Sequence, residues 1–119
     1  MSKQTVYFVV SFNINDGKLD AFKEVGRAMI AATQKEPGAL SYEWHFSNDQ
    51  KRCRLLETYA DQAAVRAHID GEAVKLIPQL LESSSVSGFE VYGDPGPEAA
   101  QTLKGFGAEL FQHWNGLRR

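Results

Sequence analysis

The segment at residues 36–49 reads "EPGALSYEWHFSND". From Leu40 onward it alternates: Leu40, Tyr42, Trp44 and Phe46 fall on one face of an extended chain and Ser41, Glu43, His45 and Ser47 on the other, so it reads as a strand. Pro37 and Gly38 mark the end of whatever precedes it. The following "NDQK" has turn chemistry, and "RCRLLETYA", residues 52–60, then returns as an antiparallel strand. A short turn at Asp49 and Gln50 sets Phe46 opposite Cys53, Trp44 opposite Leu55 and Tyr42 opposite Glu57. On the reverse face His45 meets Arg54 and Glu43 meets Leu56. The Glu43 and His45 side chains share that reverse face, and an outward ion pair there fits them better than acid–base chemistry.

Residues 5–12, "TVYFVVSF", form a strand without a breaker. Asp16 is a candidate cap for a helix in which Leu19, Phe22, Val25, Met29 and Ala32 or Thr33 recur at helical spacing. Beyond the hairpin, Asp61 caps "QAAVRAHI", and "EAVKLIPQLLE" follows with Pro78 set to kink or restart it. "SSS" reads as a loop, and residues 86–92 as a last strand with Gly88 a candidate bulge. The order strand, helix, strand, strand, helix, strand is the βαββαβ arrangement of α+β, ferredoxin-like folds: an antiparallel sheet with its helices on one face. "GDPGP", residues 93–97, is a linker. Beyond it, Leu103, Phe106, Gly107, Leu110, Phe111, Trp114 and Leu117 recur at steps of three and four, which predicts one amphipathic helix over 98–117. The organisation expected is a domain at 1–93 and a linker with helical extension at 94–119.

Two helices shield one face of a four-stranded sheet. Val6, Phe8, Val10 and Phe12 lie on one side of strand one, Tyr7 and Val9 on the other, and Tyr42, Trp44 and Phe46 enlarge a single face. An uncovered aromatic face predicts a homodimer packed through the sheet face, with a cavity between the sheets and the C-terminal helix over its mouth or edge.

Composition narrows the partners. Thirteen basic and fifteen acidic residues leave a formal charge of −2, with no field to attract nucleic acid or an anionic membrane. The N-terminus has no signal-peptide pattern and no stretch approaches the ~18 apolar residues of a membrane span, so the expected location is cytoplasmic. Cys53, the single cysteine, reads as a small apolar filler. His45, His68 and His113 lack the short spacings of a metal site, and no phosphate- or dinucleotide-binding motif is present, so neither metal nor cofactor is expected.

The segment resembles the antibiotic biosynthesis monooxygenase family, whose members form dimeric α/β barrels. "EPGALSYEWHFSND" is similar to the family's Glu-Pro-Gly and Tyr-Glu-x-His pattern, at Glu36, Pro37, Gly38, Tyr42, Glu43 and His45. "LLETYADQAAVRAHI" is similar to its Glu-x-Trp-x-Asp and following helix, at Glu57, Asp61 and His68. Tyr59 stands where the family has tryptophan, and Ala73 where a second histidine often follows. Val10 and Pro78 occupy the neighbourhoods of the asparagine and histidine of the haem-degrading branch, so haem is not implied. The resemblance implies a cofactor-free monooxygenase acting on a small aromatic, quinol-like or polyketide-like molecule, or a non-catalytic small-ligand-binding or structural homodimer of the same fold. Glu57, facing inward between Leu55 and Tyr59, is read as a general base with a raised pKa or as a buried structural acid. His68 is its candidate partner, with Tyr7, Trp44 and Tyr59 as substrate-binding aromatics.

Overall fold

The computed structural model describes residues 4–119. Its elements are β1 (Val6–Ile14), α1 (Leu19–Thr33), β2 (Ala39–Phe46), β3 (Arg52–Tyr59), α2 (Gln62–Ile69), α3 (Ile77–Leu80), β4 (Ser84–Tyr92), α4 (Pro97–Gly105) and β5 (Glu109–Phe111), with a 3₁₀ turn at Val74–Leu76. The sheet order is β2-β3-β1-β4-β5. Its first four strands pair antiparallel and give the ferredoxin-like arrangement; β5 adds a short parallel strand against β4. Among the described residues, no helix is long and apolar enough to cross a membrane.

Within the β2–β3 hairpin the register is the one the alternation predicts, with Tyr42 opposite Glu57 and Trp44 opposite Leu55. Asp61 caps α2 by accepting from the Ala64 amide at 2.8 Å. Pro78 restarts the chain as α3 at a position where its missing N–H costs nothing. The bulge also forms: Ser11 faces Gly88 and Phe12 faces Val86, leaving Ser87 as the extra residue. β4 begins at Ser84, so part of the serine run is strand rather than loop. Asp16 does not cap α1, which starts at Leu19 without a side-chain cap.

Which face the helices cover is the main correction. Phe22, Val25 and Met29 of α1 pack with Phe12, Cys53, Leu55 and Leu80, against Tyr42, Trp44 and Phe46. The aromatic face is therefore the shielded one, and the dimer does not follow from an uncovered aromatic patch. The open face carries Glu43, His45, Arg54 and Thr58, together with Tyr7 and Leu56, which are 38% and 40% exposed. Glu43 and His45 are exposed there and, among the described ion pairs, take part in none.

The second correction concerns the C-terminal extension. α4 stops at Gly105 because Gly107 adopts φ +93° and closes a Schellman turn: Ala108 N–H donates to Leu103 C=O at 3.0 Å and Gly107 N–H to Lys104 C=O at 2.9 Å. Leu103 and Ala108, the two positions that such a turn brings together, share a buried cluster with Val6, Phe8, Tyr59, Val65 and Val91. Residues 109–111 then become β5, and the chain continues without regular structure to Arg119.

Close packing also explains Gly38. A Cβ built there would lie 2.4 Å from the Ala64 Cβ and 3.3 Å from its Cα, so β2 and the start of α2 approach too closely for any side chain. Gly38→Ala is expected to destabilise the fold by about 1–3 kcal/mol, read from the urea midpoint at constant slope. Adding Ala64→Gly to that variant should return most of the loss.

Candidate functional site

Between the helices and the sheet lies a cavity of about 340 Å³. It draws its walls from both core clusters: Phe8 and Leu103 from one, Phe12, Met29 and Leu55 from the other. Among the described residues, three polar side chains line it, Glu57, His68 and Tyr42. Glu57 and His68 are only 4% and 5% exposed, which puts the polar groups at the deep end, whereas Leu81, Val86 and Phe106 on the lining are exposed.

Strand alternation puts Glu57 inside, since it shares the face of Leu55 and Tyr59. Its Oε1 accepts the Tyr59 hydroxyl at 2.5 Å, and His68 Nε2 lies 3.5 Å from the same oxygen. His68 Nδ1 is 2.9 Å from Glu36 Oε1. A carboxylate at that distance places the imidazole proton on Nδ1 and leaves Nε2 as the acceptor facing Glu57. The result is a chain Glu36–His68–Glu57–Tyr59 across the cavity floor. Gly71 makes room for it, because a Cβ there would meet Glu36 Oε2 at 2.8 Å.

Electrostatics follow from burial. Loss of water pushes the Glu57 carboxyl up to about 8; the Tyr59 hydrogen bond opposes this and the charge of Glu36 adds to it. Burial likewise lowers the pKa of His68, against the pull of Glu36. The Tyr42 and Tyr59 hydroxyls are both raised far above the ordinary tyrosine range, mainly by burial and then by the neighbouring Glu57. Glu57 is thus a carboxyl that keeps its proton near neutrality and releases it slightly above. Cys53, fully buried, is raised to about 11 despite its arginine neighbours, and is no nucleophile. Among the described residues, no group of three or more His, Cys, Asp or Glu side chains is arranged to hold a metal.

Of the five residues singled out from sequence, Glu57 and His68 line the cavity and Tyr59 stands behind Glu57, holding it. The other two lie elsewhere. Trp44 stacks on Phe12 with ring centroids 6.1 Å apart, over a shallow hollow beside Phe22 and Ile30. Tyr7 is on the open face, where the Arg118 guanidinium sits over its ring at 5.6 Å and donates to its hydroxyl and to Thr5 Oγ1. Sequence reasoning gave no role to Glu36 as the partner of His68, or to Tyr42 as a wall of the site. The signal for Glu36 was present in its Glu-Pro-Gly motif, but its contact spans 32 positions.

The sequence profile described as antibiotic biosynthesis monooxygenase matches residues 5–92. The chain belongs to that family. A search of curated proteins returns no match to this sequence. Among solved structures, MupZ from Pseudomonas fluorescens is similar with a TM-score of 0.81 at 25% identity, over 98% of this chain and 95% of that one. SnoaB from Streptomyces nogalater, a cofactor-independent oxygenase, is similar in fold with a TM-score of 0.66 at 17% identity, over 79% of this chain and 96% of that one. Protein SO0527 from Shewanella oneidensis gives 0.63 at 28% identity, over 75% and 87%.

Proposed function

We propose that the cavity binds a small phenol- or quinol-type molecule of the polyketide kind, that Glu57 removes a proton from it, and that the resulting anion reacts with dioxygen without a cofactor. The observation that carries this reading is a buried carboxyl, neutral until about pH 8, at the floor of a hydrocarbon-walled cavity. A base of that strength suits a weak carbon or phenol acid, and the apolar walls keep water from the anion. For a ring methylene, the anion gives electrons to O₂ and forms a C–O bond, and protonation yields a hydroperoxide. Loss of water then breaks the O–O bond and the second C–H bond. The balance is CH₂ + O₂ giving C=O + H₂O, with every electron drawn from the substrate. Glu57 returns its proton to the peroxide, and His68 Nε2, held as an acceptor by the Glu36 contact at Nδ1, keeps the carboxyl in place.

Family membership and the fold of SnoaB support oxygenation over other uses of the same acid–base pair. Oxygen uptake with a panel of hydroquinones and anthrones is the test. Uptake above buffer that vanishes in Glu57→Gln is expected; binding without uptake by the wild type would favour a non-catalytic ligand-binding homodimer instead. We also read the open sheet face, with exposed Tyr7 and Leu56, as the surface of a homodimer. Sedimentation of a single subunit at micromolar concentration would end that reading.

A further inference from the structure

The cavity is polar at one end only. Glu57, His68 and Tyr42 sit at its floor, no cation among the described residues lines it, and everything from Phe8 and Met29 outward to Leu81 and Val86 is hydrocarbon. An anionic head at the floor would meet a carboxyl and no counter-charge, whereas a neutral hydroxyl finds hydrogen-bonding partners. Two of the wall residues, Leu103 and Phe106, come from beyond residue 92, where the match to the family ends. Leu103 is buried, and Phe106 is 54% exposed. Phe106 is also fixed in place: it caps the C-terminal end of α4, its N–H donates to Leu103 C=O at 3.0 Å, and Gly107 turns the chain away immediately after it.

Resting on the function proposed above, we infer that the C-terminal extension is a specificity element of this site: Phe106, backed by Leu103, completes the outer wall, so the cavity selects a neutral amphiphile with one hydroxyl head at Glu57 and an unbranched or fused hydrocarbon body reaching Phe106. The extension thereby sets the length of substrate that the common domain accepts, and Phe106 is a specificity-determining residue that takes no part in the chemistry.

Titration calorimetry of the full chain with 4-methylphenol, 4-butylphenol and 4-hexylphenol tests this. Affinity should rise along the series in the wild type. In Phe106→Ala the hexyl compound should lose about tenfold, in keeping with lost apolar contact, while the methyl compound changes less than twofold. Phe106→Leu should restore most of the difference, and 4-hexylbenzoate, with the same body and a charged head, should bind at least tenfold more weakly than 4-hexylphenol. Because Phe106 is half in solvent, its loss should leave the melting temperature nearly unchanged. Equal losses for all three phenols, or none, would overturn the role of Phe106 while leaving the proposed function standing. If no phenol binds, or 4-hexylbenzoate binds as tightly as 4-hexylphenol, the site itself is misread and this inference falls with it.

Discussion

At pH 9 the Glu57→Gln protein is expected to be more stable than the wild type, by up to roughly 5 kcal/mol, while its turnover falls about 10²–10⁴-fold. In the unfolded chain Glu57 loses its proton near 4.5, whereas burial holds that proton in the folded protein to about 8. Between those values the folded state binds one more proton than the unfolded state, so stability declines as pH rises through the window. His68 acts in the opposite sense. Its folded pKa lies below the ordinary 6.5, so the unfolded chain binds the extra proton there and stability climbs with pH until 6.5 is passed. The wild type should therefore show its steepest decline between about pH 6.5 and 8, once the His68 contribution has levelled off. Glutamine removes the ionisation and keeps an acceptor for the Tyr59 hydroxyl, so the variant should show only the His68 rise and then a plateau. Urea melts at half-unit pH intervals read both curves. Parallel curves for the two proteins would mean that Glu57 is ionised in the fold at neutral pH, and the base proposed here would lose its physical ground.

The same carboxyl shows what a sequence can carry and what it cannot. Alternation through "LSYEWHF" and "RCRLLETY" fixed the β2–β3 register because a short turn leaves few ways to pair two alternating strands. It placed Glu57 among aromatics for the same reason. Alternation names two faces, however, without saying which the helices cover, and here the aromatic one lies inside. Trp44 and Tyr7 were assigned to a site on that missing information. The extension failed differently. Leu103, Phe106, Leu110 and Phe111 keep helical spacing, but Gly107 is a left-handed terminator, and a glycine inside a periodic stripe looks the same on paper whether it continues or ends the helix. The role of Glu36 was hidden by distance along the chain, since it lies just past α1 and meets a histidine on α2.

Glu36 is the better discriminator between a catalytic chain and a structural one. Glu36→Gln is expected to lower kcat about 10²-fold, with the melting temperature moved by only a few degrees. The amide oxygen still accepts from His68 Nδ1–H, so the tautomer and the packing against Gly71 are kept. What disappears is the negative charge. That charge raises the pKa of Glu57 and, together with the hydrogen bond, of His68. Without it Glu57 is a weaker base, and the rate falls. The inflection of the pH–rate profile should also move below the value near 8 that Glu57 sets in the wild type, because a neighbouring anion no longer resists its ionisation. A group that merely held α2 against β2 would shift stability and leave that inflection where it was. Unchanged kcat and an unmoved inflection would reduce the Glu36–His68 contact to packing.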